Sequence, residues 1–312
     1  MNDQVLIDWL LEGDVSIQYQ VHRDLLGILR DDLQKRIPKE GWGKQFLDQQ
    51  KADGHWGDRF YQPKWISTHY TLLDLKMLGI PPDIPQVKDI LQVLLTEQKG
   101  LDGGINPARE VKESDVCVNG MFLSYACYFG APQADLQSII DFMLSQRLPD
   151  GGFNCRFNRS GAKHSSLHST LSNMEGFLEY LRKGYTYRKA EVLEAQKTSL
   201  EFILLHRLFR SDRTGDIIHK DFLKLSYPGR WRFDILRALD HFQDAGFSWD
   251  NRMQNAVDVL LAKRRMDRTW TVQAHHPGQV HFYMEKAGKP SRWNTLRALR
   301  VLKNYSLLEL AH

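Results

Sequence analysis

The sequence predicts an all-α protein in which six helical hairpins close into a ring, an (α/α)6 toroid or barrel formed as one domain over residues 1–312. Three observations predict it. A turn-like segment recurs at Gln50-Lys51-Ala52-Asp53-Gly54-His55-Trp56, at Gln98-Lys99-Gly100-Leu101-Asp102-Gly103-Gly104 and at Gln146-Arg147-Leu148-Pro149-Asp150-Gly151-Gly152-Phe153, and its leading glutamines are 48 residues apart both times. Weaker copies run from His206 through Asp212 and from Lys263 through Trp270. A stretch with one apolar face precedes each segment, and a stretch apolar or small nearly all round follows it. Repetition of this kind signals a stacked or ring-closed architecture.

The outer helix of each hairpin is read from its stripe. Val87, Ile90, Leu91, Leu94 and Leu95 fall at i, i+3, i+4, i+7 and i+8, as do Leu136, Ile139, Ile140, Met143 and Leu144, and Met253, Ala256, Val257, Leu260 and Leu261. One apolar stripe marks a helix with solvent on its other side. The glycine pairs that follow end the helix, because glycine tolerates the positive φ of a turn. Residues 66–80, 116–129 and 167–181 are apolar or small on nearly every face, as a helix buried on both sides should be. Pro228-Gly229-Arg230-Trp231 with Leu236-Arg237-Ala238-Leu239, and Pro290-Ser291-Arg292-Trp293 with Leu296-Arg297-Ala298-Leu299, mark two more, and Pro63-Lys64-Trp65 resembles them. Outer helices are expected near 3–11, 41–50, 85–98, 133–146, 188–207 and 250–264. Inner helices are expected near 17–30, 66–79, 116–129, 167–182, 230–243 and 292–304. An open α-solenoid is the alternative. Neither terminal helix reads as a polar cap, which favours closure.

Composition bounds the function. Apolar residues make up 42% of the 312 and charged residues 26%, as in a globular protein. Charges interrupt every apolar stretch, so no transmembrane segment is expected. The first fourteen residues carry acids and no basic run, so no export signal is expected. Three cysteines are too few for a disulfide framework and suit a reducing compartment, so a cytoplasmic location is expected. The net charge of +4 is scattered, and no nucleic-acid partner is expected.

Gln50-x-x-x-Gly54-x-Trp56 resembles the QW motif of squalene–hopene and oxidosqualene cyclases. Asp102-Gly103-Gly104 and Asp150-Gly151-Gly152-Phe153 are similar to the Gly-Gly-Phe turns of protein prenyltransferase β subunits. The chain as a whole resembles the terpenoid cyclase and prenyltransferase superfamily, which implies a toroid around a cavity that takes a hydrophobic isoprenoid. The cyclase Asp-x-Asp-Asp motif is missing from the sequence, as is Asp-Asp-x-x-Asp, and Asp31-Asp32 reads as a solvated pair. The prenyltransferase pattern fits better, in Arg109-x-x-Lys112-x-x-Asp115-x-Cys117 and in Leu167-His168-Ser169-Thr170. By that resemblance Asp115, Cys117 and His168 are zinc ligands. Arg109 and Lys112 contact a substrate diphosphate, with His69 a further contact. Zinc takes oxygen, thiolate and imidazole donors in a tetrahedron and leaves one position open for a catalytic thiol. Arginine and lysine would neutralise the leaving diphosphate. Trp65, Tyr70, Tyr125, Trp231 and Trp293 would form an aromatic wall for the isoprenoid. The implied activity is prenyl transfer to a thiol or other nucleophile. Val118 and Leu167 stand where that family often has aromatic residues, and the partner subunit that prenyltransferases use is unknown here.

Plainer readings stand beside these. Asp115 can cap the helix that begins there, and Cys117 can be a small buried apolar residue. Cys155, just after a turn, reads as structural. His164 lies four residues from His168. His275, His276 and His281 read as a surface loop, with a cavity mouth as the alternative. Arg230-Trp231 and Arg292-Trp293 read equally as structural or as a cationic rim. A cyclase without the usual acid motif needs another proton donor, Asp74 or Asp234. A glycan hydrolase or lyase of (α/α)6 type would use paired carboxylates such as Glu110, Glu113 and Asp115. A non-catalytic interaction protein would have its cavity plugged.

Overall fold

The computed structural model describes residues 3–108 and 112–307, and these are predominantly helical. The helices are α1 (Asp3–Leu11), α2 (Val15–Gln20, continued by a π-helical turn over Val21–Leu26), α3 (Asp31–Arg36), α4 (Gly41–Leu47), α5 (Thr68–Leu78), α6 (Pro85–Glu97), α7 (Val116–Tyr128), α8 (Gln133–Ser145), α9 (Phe157–Ser160), α10 (Leu167–Arg182), α11 (Lys189–Leu205), α12 (Ile235–Asp244), α13 (Gln254–Ala262) and α14 (Arg292–Asn304). The one sheet among the described residues pairs β1 (Trp270–Thr271) antiparallel with β2 (Pro290–Ser291). The all-α reading stands, and each expected helix is present. The apolar pattern gave no sign of the short α3 and α9. The fifth inner helix begins at Ile235 instead of near 230. Asp234 caps it by accepting the Arg237 N–H at 2.9 Å, and Pro228–Arg232 form an irregular approach to it.

The recurring segments share one hydrogen-bond pattern. Lys51 N–H reaches His55 O and Gly54 N–H reaches Lys51 O; the same two bonds recur from Gly100 to Gly104 and Gly103 to Gly100, from Leu148 to Gly152 and Gly151 to Leu148, and from Arg265 to Thr269 and Arg268 to Arg265. Gly54, Gly103 and Gly151 hold φ values of 83°, 85° and 96° at the same place in the turn, where Arg268 stands at 67° in the last copy. The copy after α11 is one residue longer, with Ser211 bonded to Asp216 O and Gly215 to Ser211 O. Each turn then docks on the next inner helix. The N–H groups of Trp56, Ile105, Phe153 and Trp270 donate to side-chain oxygens of Thr68, Asn119, Thr170 and Thr295 at 2.7–3.1 Å. The indoles of Trp56 and Trp270 both donate to the carbonyl ten residues earlier, on Phe46 and Leu260. The Gln50 side chain bridges Gly54 O at 2.8 Å and Gln86 O at 3.3 Å.

A second repeat marks where the inner helices stop. Gly27, Gly79, Gly130, Gly184 and Gly246 follow the π turn, α5, α7, α10 and α12 at positive φ, and Ser306 follows α14 at 54°. From α5 onward the next residue (Ile80, Ala131, Tyr185, Phe247 and Leu307) bonds back to a carbonyl of the last turn. This is the left-handed cap that glycine permits, closed by the residue that follows.

Packing is closest between α7 and α10. A Cβ on Gly120 would lie 2.5 Å from Ser172 O, and one on Gly176 would lie 2.4 Å from Gly120 O. The two backbones touch because neither side chain intervenes. The last inner helix also meets the first. Arg300 on α14 pairs with Asp24 at 2.9 Å, Lys303 donates to Leu25 O at 2.7 Å, and Arg292 donates to Trp9 O at 2.8 Å.

Candidate functional site

The expected zinc group does not assemble. Asp115 caps α7, accepting the N–H groups of Cys117 and Val118, and the Cys117 thiol donates to the same carboxylate oxygen at 2.9 Å. The third member of this cluster is Cys155, and the three donor atoms lie within 4.8 Å of one another. His168 is not in the group. Its Nδ1 accepts the Phe233 N–H at 2.7 Å, and its ring packs on Phe222 and Trp231. Burial, then Arg237 and Arg232, hold the imidazole down at about 4. The loop before α12 thus draws His168 away from α7, while the turn before α9 brings in Cys155. Arg159 sits 3.5 Å from the other Asp115 oxygen. The contact between the two thiols lowers Cys155 to about 7, and that contact followed by burial pushes Cys117 up.

The other expected contacts scatter. Arg109, with Glu110, lies outside the described residues. Lys112 is exposed at the surface. His69 is fully buried in a shell of Phe60, Tyr61, Tyr70 and Tyr125, with Nδ1 3.2 Å from the Tyr125 hydroxyl, and burial lowers it to about 3. His69 does not border the cavity described below. Trp65 donates to Pro277 O at 2.7 Å under the 275–284 segment. That segment is not a loose surface loop, since His281 Nε2 meets Thr71 Oγ1 at 3.0 Å and His276 packs on Trp65. Trp231 packs on His168. Of the expected aromatic wall, Trp293 and Tyr70 border a large cavity; Trp65, Tyr125 and Trp231 do not.

That cavity holds about 770 Å³. Its lining comes mainly from α2 with its π turn, α5, α7, α10, α12 and α14, mostly from their C-terminal halves, with Gln34 of α3 and Pro228–Arg230 added. Nine lysines and arginines border it against six aspartates and glutamates. Most are paired. Arg230 meets Asp74 at 2.5 Å, Arg237 meets Glu175 at 2.6 Å, and Lys76 meets Glu179 at 3.1 Å. Asp240 receives Arg297 at 3.0 Å and Arg300 at 2.5 Å. Lys183 lies over the Tyr128 ring at 5.0 Å, and neither it nor Lys303 has a carboxylate within ion-pair reach among the described residues.

The carboxylates diverge in character. Burial pushes Asp74 up, against the pull of Arg230. Burial also works against charge at Glu175 and Asp240, but their arginines prevail and hold both below the ordinary range. Two lining rings keep a buried nitrogen without a partner, His241 Nε2 and Trp293 Nε1. The last turns of α5, α10, α12 and α14 contribute Met77, Arg182, Asp244 and Asn304 to the lining, and the negative end of a helix favours cations beside it. Capping N–H groups such as those of Gly79, Gly184 and Gly246 already occupy some of the terminal carbonyls.

Sequence reasoning named Tyr70, Asp74, Arg230 and Trp293, which all border this cavity, and missed its ion-paired network of Glu175, Arg237, Asp240, Arg297 and Arg300. The signal was present in the paired Leu-Arg-Ala-Leu stretches, whose Arg237 and Arg297 both border the cavity. Among the described residues no helix is long and apolar enough to cross a membrane. No protein-family model matches the chain, and no curated protein matches it.

Proposed function

We propose that the six hairpins close into an α/α ring of the terpenoid cyclase and prenyltransferase type, whose central cavity binds an oxygen-rich anion of sugar-acid character. Closure is supported by the ion pair and hydrogen bonds that join α14 to the first hairpin, and by six inner segments bordering one space. The observation that carries the ligand class is the lining: arginine forks and lysines as donors and carboxylates as acceptors. The volume is in the range of small-molecule sites. A hydrocarbon chain is poorly served here, because it would strip water from charged groups at a cost of several kcal/mol per ion. Lys183 and Lys303, free of carboxylate partners among the described residues, favour an acidic group on the ligand.

Isothermal titration tests this with four probes: a galacturonate disaccharide, its neutral galactose counterpart, farnesol and farnesyl diphosphate. The expected result is binding of the galacturonate disaccharide that weakens with added salt, with the neutral sugar weaker. Binding of farnesol, with no heat from either sugar, would overturn the reading and restore the isoprenoid one.

A further inference from the structure

Cys117 and Cys155 come from different hairpins and lie outside the cavity lining. Cys117 is buried on the first turn of α7, whereas Cys155 is half-buried in the turn before α9. Both are free thiols with their sulfurs within 4.8 Å of each other, and the Asp115 carboxylate stands in the same group. Asp115 already holds the Cys117 S–H at 2.9 Å. Arg159 stands 3.5 Å from Asp115 and is a local positive charge that favours an anionic sulfur and opposes a divalent cation. One reachable thiol beside one enclosed thiol is the layout in which the first is oxidised and the second resolves it.

We propose that Cys155 and Cys117 form a peroxide-oxidisable pair, Cys155 reacting first and Cys117 closing a disulfide. In the first step the Cys155 sulfur attacks one oxygen of a hydroperoxide ROOH. The O–O bond breaks, Cys155 becomes a sulfenic acid, and the other oxygen leaves as ROH with the thiol proton. In the second step the Cys117 sulfur attacks the sulfenic sulfur, with Asp115 placed to take its proton. An S–S bond forms and the sulfenic hydroxyl leaves as water. Two thiols are oxidised by two electrons and the peroxide is reduced to ROH and water. The bond then ties the start of α7 to the turn between α8 and α9. Cys127, fully buried on α7, is an internal control.

The test treats the full chain with hydrogen peroxide, blocks remaining thiols and maps peptides by mass spectrometry, with zinc content measured beforehand. The expected product is a Cys117–Cys155 linked peptide that dithiothreitol reverses, with Cys127 still reduced. Cys117→Ser should lose the link and leave a Cys155 sulfenic acid that dimedone traps, and Cys155→Ser should lose both. Unlinked Cys155 sulfenate in the unsubstituted protein would overturn the proposal. So would oxidation of Cys127 at the same rate, or stoichiometric zinc that shields the thiols until it is chelated. None of these outcomes depends on what the cavity binds.

Discussion

Replacing Arg300 by methionine should unlatch the two ends of the chain. Its guanidinium makes two bonds of 2.5 Å to Asp240 on α12 and one of 2.9 Å to Asp24 beyond α2, so one side chain joins three inner segments. Arg300 is 16% exposed and Asp240 10%, so both charges are largely out of water. Breaking such a pair from one side costs about 3–5 kcal/mol, because the other charge is left buried. Asp240 keeps Arg297 at 3.0 Å, and Asp24 keeps the more exposed Arg23. The expected loss is therefore at the low end, about 3 kcal/mol. With an unfolding entropy of roughly 2 cal/mol/K per residue over 312 residues, that lowers Tm by about 5 °C. Guanidinium denaturation and calorimetry read it directly. Arg300→Met and Asp240→Asn together should cost less than the sum of their separate losses, because the pair they share is broken only once. A loss below about 1 kcal/mol, or strictly additive effects of the two substitutions, would refute the latch.

Two further outcomes follow from buried groups. Gly120→Ala places a methyl 2.5 Å from the Ser172 carbonyl and 2.8 Å from Asn173 Cα, so α7 and α10 must separate; a loss of about 3 kcal/mol is expected in denaturant unfolding, and one under about 0.5 would show that the contact yields freely. Stability should also fall as pH drops below 6.5, because the unfolded chain then binds protons that buried His69 refuses until about 3, and His168, His276 and His281 refuse until about 4. The contribution is complete above the unfolded value and drains as pH falls toward the folded ones. At ~1.4 kcal/mol per unit, His69 alone accounts for about 3 kcal/mol between pH 6.5 and about 4, so His69→Phe should flatten the slope, and an unchanged slope would contradict its burial as a neutral ring.

The parts of the fold that local chemistry dictates were legible in the sequence. The turns at Gly54, Gly103 and Gly151 could be found because only glycine takes that φ without strain, and the stripes of α6 and α8 because a half-exposed helix must alternate its faces. The caps at Gly79-Ile80, Gly130-Ala131, Gly184-Tyr185 and Gly246-Phe247 carried an equally plain signal that the turn motif overshadowed. The site was less legible, since its members are set by packing between hairpins. Asp115 and Cys117 are neighbours on one helix turn and could be paired from sequence. Whether His168 or Cys155 joins them depends on a Phe233 N–H supplied 65 residues away, which no spacing rule encodes. The cavity charges were hidden for a related reason. Asp240, Arg297 and Arg300 look like breaks in apolar helices until α12 and α14 are placed side by side.

Anomalous diffraction from crystals soaked in selenate, with a parallel soak in a bromoalkane, measures most directly what the central cavity prefers. The charged lining predicts selenium peaks inside it, beside Lys183 and Lys303, and no ordered bromine there. Bromine ordered in the cavity with selenium confined to the outer surface would contradict it.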